Sequence, residues 1–195
     1  MSCVKLIYST LFIILMGLAL SACNDLTNDL LPSSSDKRAT VIAGSTGNQP
    51  GQIAANFIIK DSLNNDFILA DYLTGGSQPT DVVVLYFTMW CPVCLSHSDH
   101  IYNTVMPQFN ARGNVIYGLV DYVSGSVSAT RASEVANGYA GSDFIALSDI
   151  DQSLFNQLNG SMGVIIVIDN DGTILLNEDF RNGQALQTIL DQQLP

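Results

Sequence analysis

The run Asp81–Met89, "DVVVLYFTM", constrains the fold more than any other stretch. It is β-branched, aliphatic and aromatic without polar alternation. That is the pattern of a strand covered on both faces. Such a strand needs neighbours on either side and helices above and below. The flanking sequence supplies them. "ANFIIKDSLNNDFILADYL" holds two short β runs about Asn64-Asn65, which predicts a hairpin, and a helical turn from Asp71. From Cys91 to about Phe109 the pattern is helical, with Leu95, Ile101, Tyr102, Val105 and Phe109 as an apolar stripe. Pro107 predicts a kink or an end there.

"NVIYGLVDYV" reads as a second buried strand, and "SATRASEVANGYAG" as a surface helix from about Ser128. "DFIALSD" reads as a short strand or extended link, and "DQSLFNQLNG" as a short helix ending at Gly160. "GVIIVIDNDGTILLNEDF" reads as a hairpin about Asn170-Asp171-Gly172, and "GQALQTILDQQL" as a closing amphipathic helix. Strands alternating with helices predict an α/β domain, a central sheet with helices on its faces and an N-terminal β-hairpin. With 47% apolar residues in 195, a substantial core is available.

The N-terminus reads as an export segment. One lysine precedes an apolar run from Leu11 to Leu20, and small residues follow. The run is short for a membrane-spanning helix, which needs about 20 residues. Leu20-Ser21-Ala22-Cys23 resembles the bacterial lipobox, which implies cleavage before Cys23 and lipid on its sulfur. The expected layout is a signal peptide over 1–22, a flexible tether rich in Ser, Asn, Asp and Gly over 23–51, and a folded domain over 52–195. Acyl chains on Cys23 would hold the domain at a membrane surface, outside the cytoplasm. Asn24 lacks the aspartate that commonly signals inner-membrane retention, which favours the outer membrane in a double-membraned cell.

Removing the leader takes away one lysine and no acid, so the net charge moves from −11 to about −12. Nucleic acid and anionic headgroups are poor partners for that surface. Of the four cysteines, Cys3 leaves with the leader and Cys23 carries lipid, so Cys91 and Cys94 remain. A bridge closing so small a loop removes little chain entropy, which argues against a structural crosslink. Haem attachment needs His after the second Cys, and that position is Leu95. Structural zinc needs four ligands, and no second Cys pair exists. His97 and His100 are the remaining nitrogen donors, and fan over about 120° with Cys94 on a helix. They read best as exposed polar positions.

Redox chemistry has direct physical support. The thiolate is the reacting species, and a helix N-terminus stabilises it. Cys91 stands where strand gives way to helix. Pro92 suits the first helical turn, and Cys94 lies one turn on. Trp90 would shield and present the pair.

"FTMWCPVC" resembles the W-C-x-x-C active site of thioredoxin-fold proteins. The opening hairpin resembles the redoxin branch, typically A-P-D-F…D…G…L-x-D-L, and "VIIVIDNDGTIL" resembles that branch's late strand–turn–strand. Over roughly Ala54 to Leu194 the chain is similar to membrane-tethered TlpA/ResA-like thiol–disulfide oxidoreductases. The resemblance implies a mixed sheet, Cys91 as exposed nucleophile, Cys94 as shielded resolving thiol, and a redox-active Cys91–Cys94 disulfide. It implies exported protein disulfides or thiols as partners, a membrane electron donor fed by cytoplasmic thioredoxin, and no cofactor or metal.

Three features stand apart. The family's cis-proline position is Gly163, after Met162, and a non-proline cis bond costs about 2.5–4 kcal/mol, so a trans bond is expected. The missing ring leaves room beside the sulfurs and the substrate loop less defined. No carboxylate follows Asp81 in the buried strand to serve as the family's proton acceptor. Asp169, Asp171, Gly172 and Glu178 match part of a calcium loop, but a hairpin explains them better. Two alternatives to exchange follow: a peroxiredoxin-like thiol peroxidase, because Thr88 lies three before Cys91 although Val84 stands where that motif has proline, and a copper or other metal-binding protein without redox turnover.

Overall fold

The computed structural model describes residues 40–195. The leader, Cys3, the lipidation residue Cys23 and most of the tether lie outside the described residues. Within them the elements are β1 (Ile58–Asp61), β2 (Asp66–Ile68), α1 (Leu69–Tyr72), β3 (Val82–Thr88), α2 (Pro92–His100), α3 (Met106–Phe109), β4 (Val115–Asp121), α4 (Val127–Ala136), β5 (Phe144–Ser148), α5 (Ser153–Leu158), β6 (Val164–Asp169), β7 (Ile174–Asp179) and α6 (Gln184–Gln193).

These strands form one mixed sheet in the order β2-β1-β5-β4-β3-β6-β7. β3, β4 and β5 run parallel, and β6 is antiparallel to β3. β3 is central and buried along its whole length. Its alternation then divides the core. Val82, Val84 and Tyr86 meet Ile101, Val105, Phe109, Leu186 and Leu190 on one face. Val83, Leu85 and Phe87 meet Phe57, Phe67, Leu154 and Leu158 on the other. Full burial of each such side chain contributes about 1.5–3 kcal/mol, so both faces resist a polar substitution in β3. "DFIALSD" is a full strand, pairing with β4 and β1.

Pro107 acts one turn earlier than its position suggests. The backbone is a π-turn over Ile101–Val105, where the Met106 N–H bonds the Ile101 carbonyl, and regular helix resumes at Met106. A proline at 107 has no N–H for the carbonyl four residues back, and the widened turn absorbs that loss. Ile101, Val105 and Phe109 are buried, whereas Tyr102 of the expected stripe is 39% exposed.

The domain starts earlier than its composition implies. The tether was expected to run to Gly51, but residues 44–53 are bonded into the fold. Gly44 N–H donates to the Gly51 carbonyl at 2.8 Å, and Gly51 N–H to the Ile174 carbonyl at 2.8 Å. Asn177 Nδ2 donates to the Asn48 carbonyl at 2.6 Å. The segment's own backbone pairs with Ile174 at the start of β7, an edge strand that would otherwise offer unpaired backbone groups there. Asp169 Oδ1 accepts the N–H groups of Asp171 and Thr173 at 2.9 and 2.8 Å, so the carboxylate in the calcium-like motif closes the hairpin turn. No helix among the described residues is long and apolar enough to cross a membrane.

Candidate active site

The site lies where β3 ends and α2 begins. Cys91 is the N-cap of α2 in extended conformation, and Pro92 occupies the first helical turn. The cap side chain is sulfur rather than oxygen: Cys94 N–H points at Cys91 Sγ across 3.2 Å. The two sulfurs are free thiols 2.7 Å apart. Cys94 is fully buried and Cys91 half-buried. The Cys94 thiol, donating to Cys91, holds the Cys91 thiol below its ordinary value, and the Cys94 and Val93 backbone N–H groups add to this. Partial desolvation opposes them. One helical turn therefore supplies an activated sulfur and its neighbour.

Trp90 leads into the cap with a left-handed backbone, φ 59°. A bulky residue there is strained by roughly 1–3 kcal/mol unless held. Two hydrogen bonds hold it: Trp90 N–H to Thr88 Oγ1 at 3.0 Å, and the indole Nε1–H to Asp121 Oδ2 at 2.8 Å. Asp121 is buried at the end of β4, and its other oxygen accepts the N–H groups of Val123 and Ser124. A carboxylate thus anchors the site from β4, where reading β3 alone could not place one.

The opposite wall is the loop before β6. Met162–Gly163 is trans, and Gly163 has φ 83°. Gly163 N–H donates to the Phe87 carbonyl at 3.0 Å, and its own carbonyl accepts Phe180 N–H at 2.8 Å. Met162 Sδ lies 3.6 Å from Cys91 Sγ. Beside the sulfurs a pocket of about 380 Å³ is lined by Tyr86, Cys94, His97, Met162, Gly163 and Phe180, among others.

His97 and His100 are not the exposed positions expected. Both are half-buried and pack on Phe180, with ring centroids 4.8 and 5.9 Å from it. The helix turns these two residues toward the α6 side, and Phe180 fills the space between. His97 Nδ1 shares a 2.9 Å hydrogen bond with the Tyr86 hydroxyl. Burial, then the charge of His100, lowers the His97 pKa. Burial pushes the Tyr86 hydroxyl well up, as do the neighbouring cysteines. Among the described residues no group of three His, Cys, Asp or Glu side chains converges as a metal site.

Cys91, Cys94, Trp90, Pro92 and Gly163 are thus brought to one end of the sheet. Tyr86, Phe180 and Asp121 complete the surroundings without being singled out in the sequence, where Met162 stands only as the residue before Gly163 and His97 reads as an exposed position. Asp121 alone left a signal, as a carboxylate within an apolar strand run.

No family model matches this sequence, and no curated protein matches it. Solved structures do match. A thioredoxin-like protein from Aeropyrum pernix aligns at TM-score 0.55 and 15% identity, over 70% of this chain and 89% of its own. The fold is thioredoxin-like. A secreted disulfide oxidoreductase of Mycobacterium tuberculosis, homologous to E. coli DsbE, aligns at TM-score 0.52 and 17% identity, over 70% and 95%. The peroxidoxin BcpB of the same organism aligns at 0.56 and 20%, over 73% and 96%. These thioredoxin-like neighbours include two of the three functions considered from the sequence, so the choice rests on the site.

Proposed function

We propose that this thioredoxin-like domain is a thiol–disulfide oxidoreductase that exchanges disulfides with exported proteins through Cys91 and Cys94. One juxtaposition supports the reading most: a half-buried, activated Cys91 sulfur at a helix N-terminus, with the buried Cys94 sulfur 2.7 Å behind it. In the reducing direction the Cys91 thiolate attacks one sulfur of a partner disulfide. The partner S–S bond breaks, and its departing thiolate takes a proton from solvent. Cys94 then loses its proton and attacks Cys91 Sγ, expelling the second partner thiolate. The partner gains two electrons, and Cys91 and Cys94 end as a disulfide. The Cys94 proton leaves to solvent through the adjoining pocket, whose wall carries the hydrogen-bonded Tyr86–His97 pair.

Repeated reduction outside the cytoplasm needs an electron donor. A membrane relay fed by cytoplasmic thioredoxin fits that need, and lipid on Cys23 would hold the domain beside it. The peroxidase alternative is less well supported: the buried Thr88 hydroxyl accepts the Trp90 N–H rather than standing free beside Cys91. The experiment is trapping in cells. Cys94→Ser should accumulate mixed disulfides between Cys91 and exported proteins. Absence of any adduct, together with no turnover by the unaltered chain in vitro, would remove the proposal.

A further inference from the structure

Met162 has no part in the exchange chemistry, yet its thioether sulfur stands 3.6 Å from Cys91 Sγ, 71 residues away in sequence. The loop is fixed from both sides, by the Gly163 N–H on Phe87 and the Gly163 carbonyl on Phe180. With Cys94 Sγ at 2.7 Å from Cys91, both other sulfurs lie close to Cys91 Sγ, and Cys94 and Met162 line the pocket beside it. We propose that the reduced chain binds one Cu(I) ion through Cys91, Cys94 and Met162.

The donor set selects the ion. Two thiolates and a thioether are soft ligands suited to Cu(I), whereas zinc favours a fourth donor and thiolate or imidazole. His97, the nitrogen on the same wall, is engaged by Tyr86. Metal–sulfur bonds of about 2.3 Å place three trigonal sulfurs roughly 4 Å apart. The Cys91–Met162 spacing already approaches this. The cysteine sulfurs open by rotation of their side chains, into a pocket that has room because Gly163 carries no ring. Cys91 is half-buried and Met162 is 45% exposed, so one edge of the site is open to a partner's ligand. Binding releases both thiol protons to solvent and involves no electron transfer. The oxidised pair lacks the thiolates, so disulfide formation expels the ion. The site needs only the reduced thiols and does not rest on the exchange reading.

The test titrates Cu(I) into the reduced full chain, anaerobically, against a colorimetric Cu(I) chelator, with X-ray absorption at the copper edge. One ion per chain with three sulfur neighbours is expected. Met162→Leu, which keeps the side chain's size, should bind at least about tenfold more weakly and show two sulfurs. Met162→Ala should do the same. Two sulfurs in the unaltered chain, unchanged affinity in both variants, or full binding by Cys91→Ser would overturn the proposal.

Discussion

The two walls of the site are built by different means. The helix wall is local: Cys91, Pro92 and Cys94 lie within four residues, and one cap geometry positions both sulfurs. The loop wall is tertiary: Met162 and Gly163 reach the sulfurs because β6 pairs with β3 and Gly163 is bonded to Phe87 and Phe180. Chemistry resides in the wall that the sequence spells out. Access and neighbouring ligands are set by the wall that packing decides.

Breaking the loop wall should have the largest effect. Gly163→Pro would force φ near −65° where the backbone has 83° and would delete the N–H on Phe87. It should cost roughly 3 kcal/mol or more in urea unfolding, so restoring a proline here does not restore the family's loop. Gly163→Ala should cost less, about 1–2 kcal/mol, because a Cβ finds its first neighbour 3.9 Å away and only the left-handed backbone resists.

Asp121→Asn tests the anchor behind the helix wall. Asn can turn its one oxygen to Val123 and Ser124 or to the indole, not to both sets. The buried mismatch should cost about 1–3 kcal/mol and change the emission of Trp90, the chain's one tryptophan.

The helix wall itself should respond at Cys91. Since the Cys94 thiol is the largest cause of the lowered pKa, Cys94→Ala should move half-maximal alkylation of Cys91 to higher pH. An unmoved midpoint would assign the activation to the helix alone.

The smallest expected effect is that of His97. Its folded pKa lies below the ordinary 6.5, so the unfolded chain binds the proton more readily. Stability from this residue is present above pH 6.5 and is lost as pH falls through the folded value. Unfolding free energy measured across this range should fall less in His97→Gln than in the unaltered chain.

The same division explains what the sequence reveals. β3 announces itself because seven consecutive residues are buried, and the late hairpin because Asn170-Asp171-Gly172 sits between β runs. The dithiol is legible because strand end, proline and helix start are contiguous. Met162 and Tyr86 carry no such mark: a methionine in a loop and a tyrosine in a core strand are ordinary until the sheet closes. Residues 44–51 mislead in the other direction, since a Gly- and Ser-rich segment reads as a tether until its backbone finds an edge strand.

In the proposed exchange Cys91 attacks and Cys94 resolves. It is tested most directly by intact mass after mixing the reduced chain with an oxidised model peptide. The unaltered protein should become lighter by two hydrogens, Cys94→Ser should hold a stable peptide adduct on Cys91, and Cys91→Ser should not react. An adduct on Cys94, or an unreactive reduced chain, would contradict it.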